Sequence, residues 1–177
     1  MADYYTQTVV HQEIPERLIA PFERLLLAEV FESENRDGAI YYYASERPND
    51  FITIDPRLLC VTLAISPEKS RLRSWLKKQL AECPEDIPHL DIDLTACPYK
   101  YEAHLIILQD IVRRSKGELP YLTIAAAYTC SKMRPDGFGG MAIIITQNRI
   151  SYHSTYNVIE AFEARRTRKA ARQSAPP

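Results

Sequence analysis

The sequence predicts an α+β fold: a mixed, mostly antiparallel sheet with helices packed on it. Three observations carry this. Segments 21–32 and 101–114 place apolar side chains at helical spacing, which requires a surface to bury against. Short runs rich in Tyr, Thr, Val and Ile, such as Ala39–Ala44 and Met141–Thr146, have strand composition and are bounded by Gly, Pro and Asp. Eleven tyrosines against five phenylalanines suit half-buried strand faces, where a hydroxyl can reach a polar partner. At 177 residues, 46% hydrophobic and 25% charged, the chain has the composition and length of a globular domain with a full core.

Taken in order, Tyr4–His11 reads as a strand, and Pro15 and Pro21 punctuate the approach to a helix over 21–32. Pro21 suits its first position, where a missing N–H costs nothing, and Phe22, Leu25, Leu26, Leu27, Val30 and Phe31 form its apolar stripe. Asn35–Gly38 should end that helix. Ala39–Ala44 follows as a strand, Arg47–Asp50 as a turn and Phe51–Ile54 as a short strand. Asp55-Pro56 is an N-cap and first-turn pair that opens a short helix through Ala64, in a segment whose β-branched content also suits a strand. Ser66-Pro67-Glu68 repeats the signal and predicts a second helix to about Cys83, with Leu72, Trp75, Leu76 and Leu80 on one stripe. Leu90–Thr95 alternates as a half-exposed strand, 101–114 is a helix and Tyr121–Thr129 a strand. Met141–Thr146 and Ile150–His153 complete the strands around the turn Gln147-Asn148-Arg149. Ser154 or Thr155 then caps a final helix, docked through Val158, Ile159 and Phe162.

A shift of 81 positions lays Leu26, Leu27, Val30 and Phe31 onto Ile107, Leu108, Ile111 and Val112. This suggests two β-α-β-β pseudo-repeats, 4–54 and 90–146, joined by helices over 55–83 within a single α+β domain spanning 1–163. The predicted core is Leu26, Leu27, Val30, Ile107, Leu108, Ile111 and Ile144. Residues 164–177 form a basic tail. Residues 1–163 hold 17 basic and 23 acidic side chains, whereas the tail holds five basic and no acidic ones.

The four cysteines, Cys60, Cys83, Cys97 and Cys130, show no Cys-x-x-Cys spacing and read as reduced, isolated thiols. No basic stretch followed by an apolar run opens the chain, and no window is apolar enough to span a bilayer, so the expectation is a cytoplasmic protein without membrane contact. The histidines supply no ligand set, since the 81-residue shift places Ile92 opposite His11. No metal or cofactor is expected.

Three of the five glycines fall in one span, Gly137, Gly139 and Gly140, beside Lys132, Arg134, Asp136 and Phe138. Glycines let backbone amides converge on an anion or approach a partner closely, so this loop is the candidate binding site. The spacing is not that of a P-loop, and Pro135-Asp136-Gly137 is also ordinary hairpin-turn chemistry. The catalytic alternative is a small enzyme acting through Cys130 and His153, with Asp136 or Glu160 orienting the imidazole. The helix bearing Lys69, Arg71, Arg73, Lys77 and Lys78 presents a basic face, but Arg165, Arg166, Arg168, Lys169 and Arg172 are the groups that would meet nucleic acid.

The run from Tyr128 to Gly140, the apolar strand ending at Thr146 and the Ser154-Thr155 helix start resemble uncharacterised small accessory proteins of proteobacterial plasmids and other mobile elements. The resemblance covers mainly residues 120–162. It implies a cytosolic accessory protein without known catalytic residues. The resulting expectation is a non-enzymatic binding protein, an inhibitory or regulatory factor acting on a macromolecular partner, with protein preferred over a small molecule.

Overall fold

The computed structural model describes residues 2–66, 69–84 and 87–173, with α+β architecture throughout. A seven-stranded sheet contains β1 (Tyr4–Val10), β2 (Ile14–Pro15), β3 (Glu32–Arg36), β4 (Ala39–Ala44), β7 (Tyr121–Cys130), β8 (Gly139–Thr146) and β9 (Ile150–Ser154). Every pairing in it is antiparallel. β1 and β2 lie along one side of β4 and β3 along the other, while β7, β8 and β9 extend the sheet beyond β1. A separate two-stranded ribbon joins β5 (Phe51–Ile54) to β6 (Leu90–Asp93).

Five α-helices lie among the described residues: α1 (Pro21–Val30), α2 (Pro56–Ile65), α3 (Arg73–Ala81), α4 (Ala103–Arg114) and α5 (Thr155–Gln173). α4 packs on β7 and β8, α1 packs beside α4 and against α2 and β5, and α2 packs on α3. Pairing does not repeat between the two halves. β1 lies in the large sheet, but β6, its counterpart under the 81-residue shift, pairs with β5.

Strand alternation decides which face of the sheet meets the helices. Val10, Ile40, Tyr42, Leu122, Ile124, Ile143, Ile145 and Ile150 are buried beneath them. On the opposite face, Val9, Tyr41, Tyr43, Ala125, Ala127 and Glu34 border an open depression of about 590 Å³. Ile144, expected in the core, belongs to this outward face and is 36% exposed. In an unbroken apolar run the parity is invisible, and it is set here by the β8–β9 register, Ile145 opposite Ile150. The other six predicted core residues are at most 2% exposed.

Two boundaries differ from expectation. α1 stops at Val30, and the polar stretch Glu-Ser-Glu-Asn-Arg becomes edge strand β3 instead of a helix end. Asp37 and Gly38, with φ of 49° and 84°, turn it into β4. Two successive positive φ values suit the tight hairpin turn for which Asp-Gly is favoured. α3 begins at Arg73, well after the signal at Ser66. Pro67 and Glu68 lie outside the described residues. Ser66 closes α2: its hydroxyl donates to the Thr62 carbonyl at 2.5 Å and accepts from the Phe22 amide at 3.3 Å, tying α2 to α1.

Among the described residues, the Tyr42 hydroxyl is buried without a hydrogen-bond partner, and burial pushes its pKa up to about 12. Tyr42→Phe removes an unsatisfied polar atom while keeping the ring against Phe31. The variant is expected to gain about 1 kcal/mol in urea unfolding, and a loss of stability would show that the hydroxyl is satisfied.

Candidate functional site

The loop between β7 and β8 is tethered to the start of the chain. Ser131 donates its amide to the Asp3 carbonyl at 3.0 Å, and the Asp3 amide donates to Ser131 Oγ at 3.0 Å. Tyr4 faces the Arg134 guanidinium and raises its pKa. Lys132, Arg134, Asp136 and Phe138 are exposed, as is Met133, which supplies the loop's positive φ of 52°.

None of the three loop glycines has a positive φ. They serve close approach instead. A Cβ on Gly137 would collide with that of Cys130, and one on Gly139 would come within 2.9 Å of Thr155 Oγ1 and 3.3 Å of the Tyr128 and Tyr156 rings. The Gly137 amide donates to the Arg134 carbonyl at 2.9 Å, the Met133 amide to the Cys130 carbonyl at 3.2 Å and the Gly140 amide to Thr155 Oγ1 at 3.2 Å. Those three donors are therefore engaged within the protein rather than gathered around a site for an anion. Gly139 and Gly140 form the socket that seats the start of α5, and Gly137 makes room for Cys130.

Ser154 caps α5 reciprocally with Asn157: the Ser154 amide donates to Asn157 Oδ1 at 3.0 Å, and the Asn157 amide donates to Ser154 Oγ at 3.2 Å. The Tyr156 hydroxyl donates to the carbonyls of Phe138 at 3.1 Å and Asp136 at 3.3 Å, fixing the first turn on the glycine loop. Beyond that turn the helix leaves the body. Val158, Ile159 and Phe162, expected to dock it, are 71%, 52% and 59% exposed. Helical spacing marks an apolar stripe but not its partner, and α1 and α4 already cover the inner sheet face. Val158 and Phe162 lie one turn apart and, with His153, line a groove of about 390 Å³ that Arg165 borders.

Arg165, Arg166 and Arg168 are exposed on the continuing helix, so the expected basic tail is helical as far as Gln173. Ser174–Pro177, and the side chains of Lys169 and Arg172, lie outside the described part. The basic groups before and at the start of α3 are partly engaged. Arg71 Nε donates to buried Asp110 at 2.7 Å, and Arg73 Nη1 donates to the Ser66 carbonyl at 2.5 Å.

Cys130 and His153 are not brought together. His153 pairs with Ala142, which pairs with Ala125, five residues along β7 from Cys130. That places the two residues roughly 17 Å apart along the strands and roughly 10 Å apart across them. Alternation also assigns them to opposite faces, with Cys130 buried and His153 exposed. Asp136 and Glu160 are exposed.

A second concave feature lies between the inner sheet face and the start of α4. It is a cavity of about 320 Å³ whose apolar wall includes Phe31, Ile124, Met141 and Ile143 and whose polar wall includes Arg47, Asp50, Glu102, His104 and Tyr152. His104 is 8% exposed, and among the described residues its Nδ1 is buried with no hydrogen-bond partner. Burial lowers its pKa, while Glu102 and Asp50 oppose that effect. The Phe31 ring stands edge-on to the imidazole, 5.6 Å between centroids. The Tyr152 hydroxyl donates to Glu102 Oε2 at 3.2 Å, and its pKa is raised by burial and that carboxylate.

Sequence reading misses this cavity because its polar groups come from two distant segments and a strand end. The one local signal is Glu102-x-His104 immediately before the apolar run Leu105–Leu108. No family model, curated protein or solved structure matches this chain.

Proposed function

We propose that this chain is a non-enzymatic binding protein that presents α5 and the 131–140 loop to a protein partner. The observation carrying this reading is the exposed stripe Val158, Ile159 and Phe162 on a helix whose first turn is fastened to the glycine loop. Such a stripe is unfavourable in water and fits an apolar groove, the helix-in-groove mode of recognition. Arg165, Arg166 and Arg168 continue the same helix, and Lys132 and Arg134 stand on the loop to which its first turn is fastened. The matching groove is therefore rimmed by acidic side chains. The resemblance of residues 120–162 supplies the setting, a cytoplasmic accessory factor of a mobile element that inhibits or regulates its partner. Among the described residues no helix is long and apolar enough to cross a membrane.

Phe162→Asp should abolish capture of the partner from the native host without moving the thermal midpoint, because the side chain contacts solvent and not the core. Lys132→Ala with Arg134→Ala should weaken the same capture and reduce its salt dependence. Identical partner sets for wild type and both variants would overturn the reading. Binding that depends on salt and on the arginines but not on Phe162 would assign the surface to nucleic acid.

A further inference from the structure

We propose that the cavity at the head of α4 binds a small organic cation that carries N–H donors on an apolar body. The cavity is at the small end of the size range for organic ligand sites, and it combines an apolar floor with a few convergent polar groups. Its floor, Ile124, Ala126, Met141 and Ile143, belongs to the sheet and takes the body of the ligand. Its polar wall selects the charge. Asp50 and Glu102 are carboxylates, and His104 stays neutral when buried, so its unprotonated ring nitrogen accepts hydrogen bonds.

Arg47 is the single basic group of the wall, and it is exposed at the rim. Two acids against one rim arginine disfavour an anion. A metal ion fits less well than an organic cation, because among the described residues no three His, Cys, Asp or Glu side chains are grouped to hold one. His104 lines the same wall, and among the described residues its Nδ1 is buried without a hydrogen-bond partner. A buried ring nitrogen without a partner is costly, so a donor brought to it would gain a full hydrogen bond. This inference stands apart from partner binding by α5: the cavity opens on the inner face of the sheet, whereas the groove beside α5 contains His153 of the outer face.

The test titrates the full chain with 2-phenylethylamine, benzamidine and phenylacetate, following amide resonances and the heat of binding. The two cations should bind and shift resonances of His104, Ile124 and Ile143, while phenylacetate, of matching size and opposite charge, should not. Asp50→Asn and Glu102→Gln, each checked for an unchanged melting curve, should weaken the better cation at least tenfold. His104→Gln should also weaken it. Failure of both cations to bind, equal binding of phenylacetate, or cation affinity unchanged in the two carboxamide variants would overturn the proposal.

Discussion

Arg114→Ala is expected to destabilise the protein by about 3–5 kcal/mol, the usual consequence of stripping one partner from a buried ion pair. Glu23 on α1 is fully buried, and Arg114 ends α4. The guanidinium donates to both carboxylate oxygens, Nη2 to Oε2 at 2.5 Å and Nη1 to Oε1 at 3.1 Å. It also donates to the Leu18 carbonyl, at 2.9 Å from Nη2. Glu23 Oε2 further accepts from the Ala20 amide at 2.9 Å, at the head of α1. An acid in the first turn of one helix and a base in the last turn of another also complement both helix dipoles. The pair thus fastens α1 to α4 where both leave the core.

Burial raises the pKa of Glu23, and Arg114 is the largest opposing influence. Without Arg114 the folded-state pKa rises further. A carboxyl with a raised folded pKa contributes fully below its unfolded value and loses that contribution as pH rises through the folded value. The Arg114→Ala deficit should therefore be greatest near neutrality and shrink towards pH 4.5. Urea unfolding at both pH values reads this directly. A deficit below 1 kcal/mol, or one that grows on acidification, would show that Glu23 does not depend on Arg114 for its charge.

Ile111→Ala is expected to cost about 2–5 kcal/mol, as is Leu108→Ala. Both side chains are fully buried on α4, the helix that lies directly on β7 and β8. Every residue from Ala103 to Val112 on this helix is buried, so neighbouring groups have little room to close a cavity. Leu108→Met keeps most of the volume and should cost less than about 1.5 kcal/mol. Equal losses for Leu108→Ala and Leu108→Met would mean that shape rather than lost volume governs the site. Negligible losses for both alanine variants would contradict the packing of α4.

Periodicity was enough to locate α1, α4 and most strands, because a 3.6-residue or two-residue repeat is a local property of the chain. Local chemistry likewise foretold Pro21 at the first turn of α1 and Asp55 as the cap of α2, and it narrowed the cap of α5 to Ser154 or Thr155. Edge strand β3 escaped because its five residues are all polar and exposed, so no apolar alternation marks it. Its strand character comes from pairing with β4 after the Asp37-Gly38 turn. The loop glycines were conspicuous from composition, yet their role was not: they make room for Cys130 and α5, which requires knowing what packs above them.

The same division holds for the two candidate sites. Lys132, Arg134 and Phe138 were legible as a surface, because one short loop contains them. Exposure of Val158, Ile159 and Phe162 was not, since an amphipathic stripe looks the same whether it meets the body or leaves it. The separation of Cys130 from His153 followed from strand register, and the convergence of Asp50, Glu102 and His104 from the meeting of the segment before β5 with the head of α4. Local propensity, capping and composition depend on neighbours in sequence and were determined before folding. Facing, register and cavities depend on which distant surfaces compete for the same apolar contact, and only the packed tertiary structure resolves that competition.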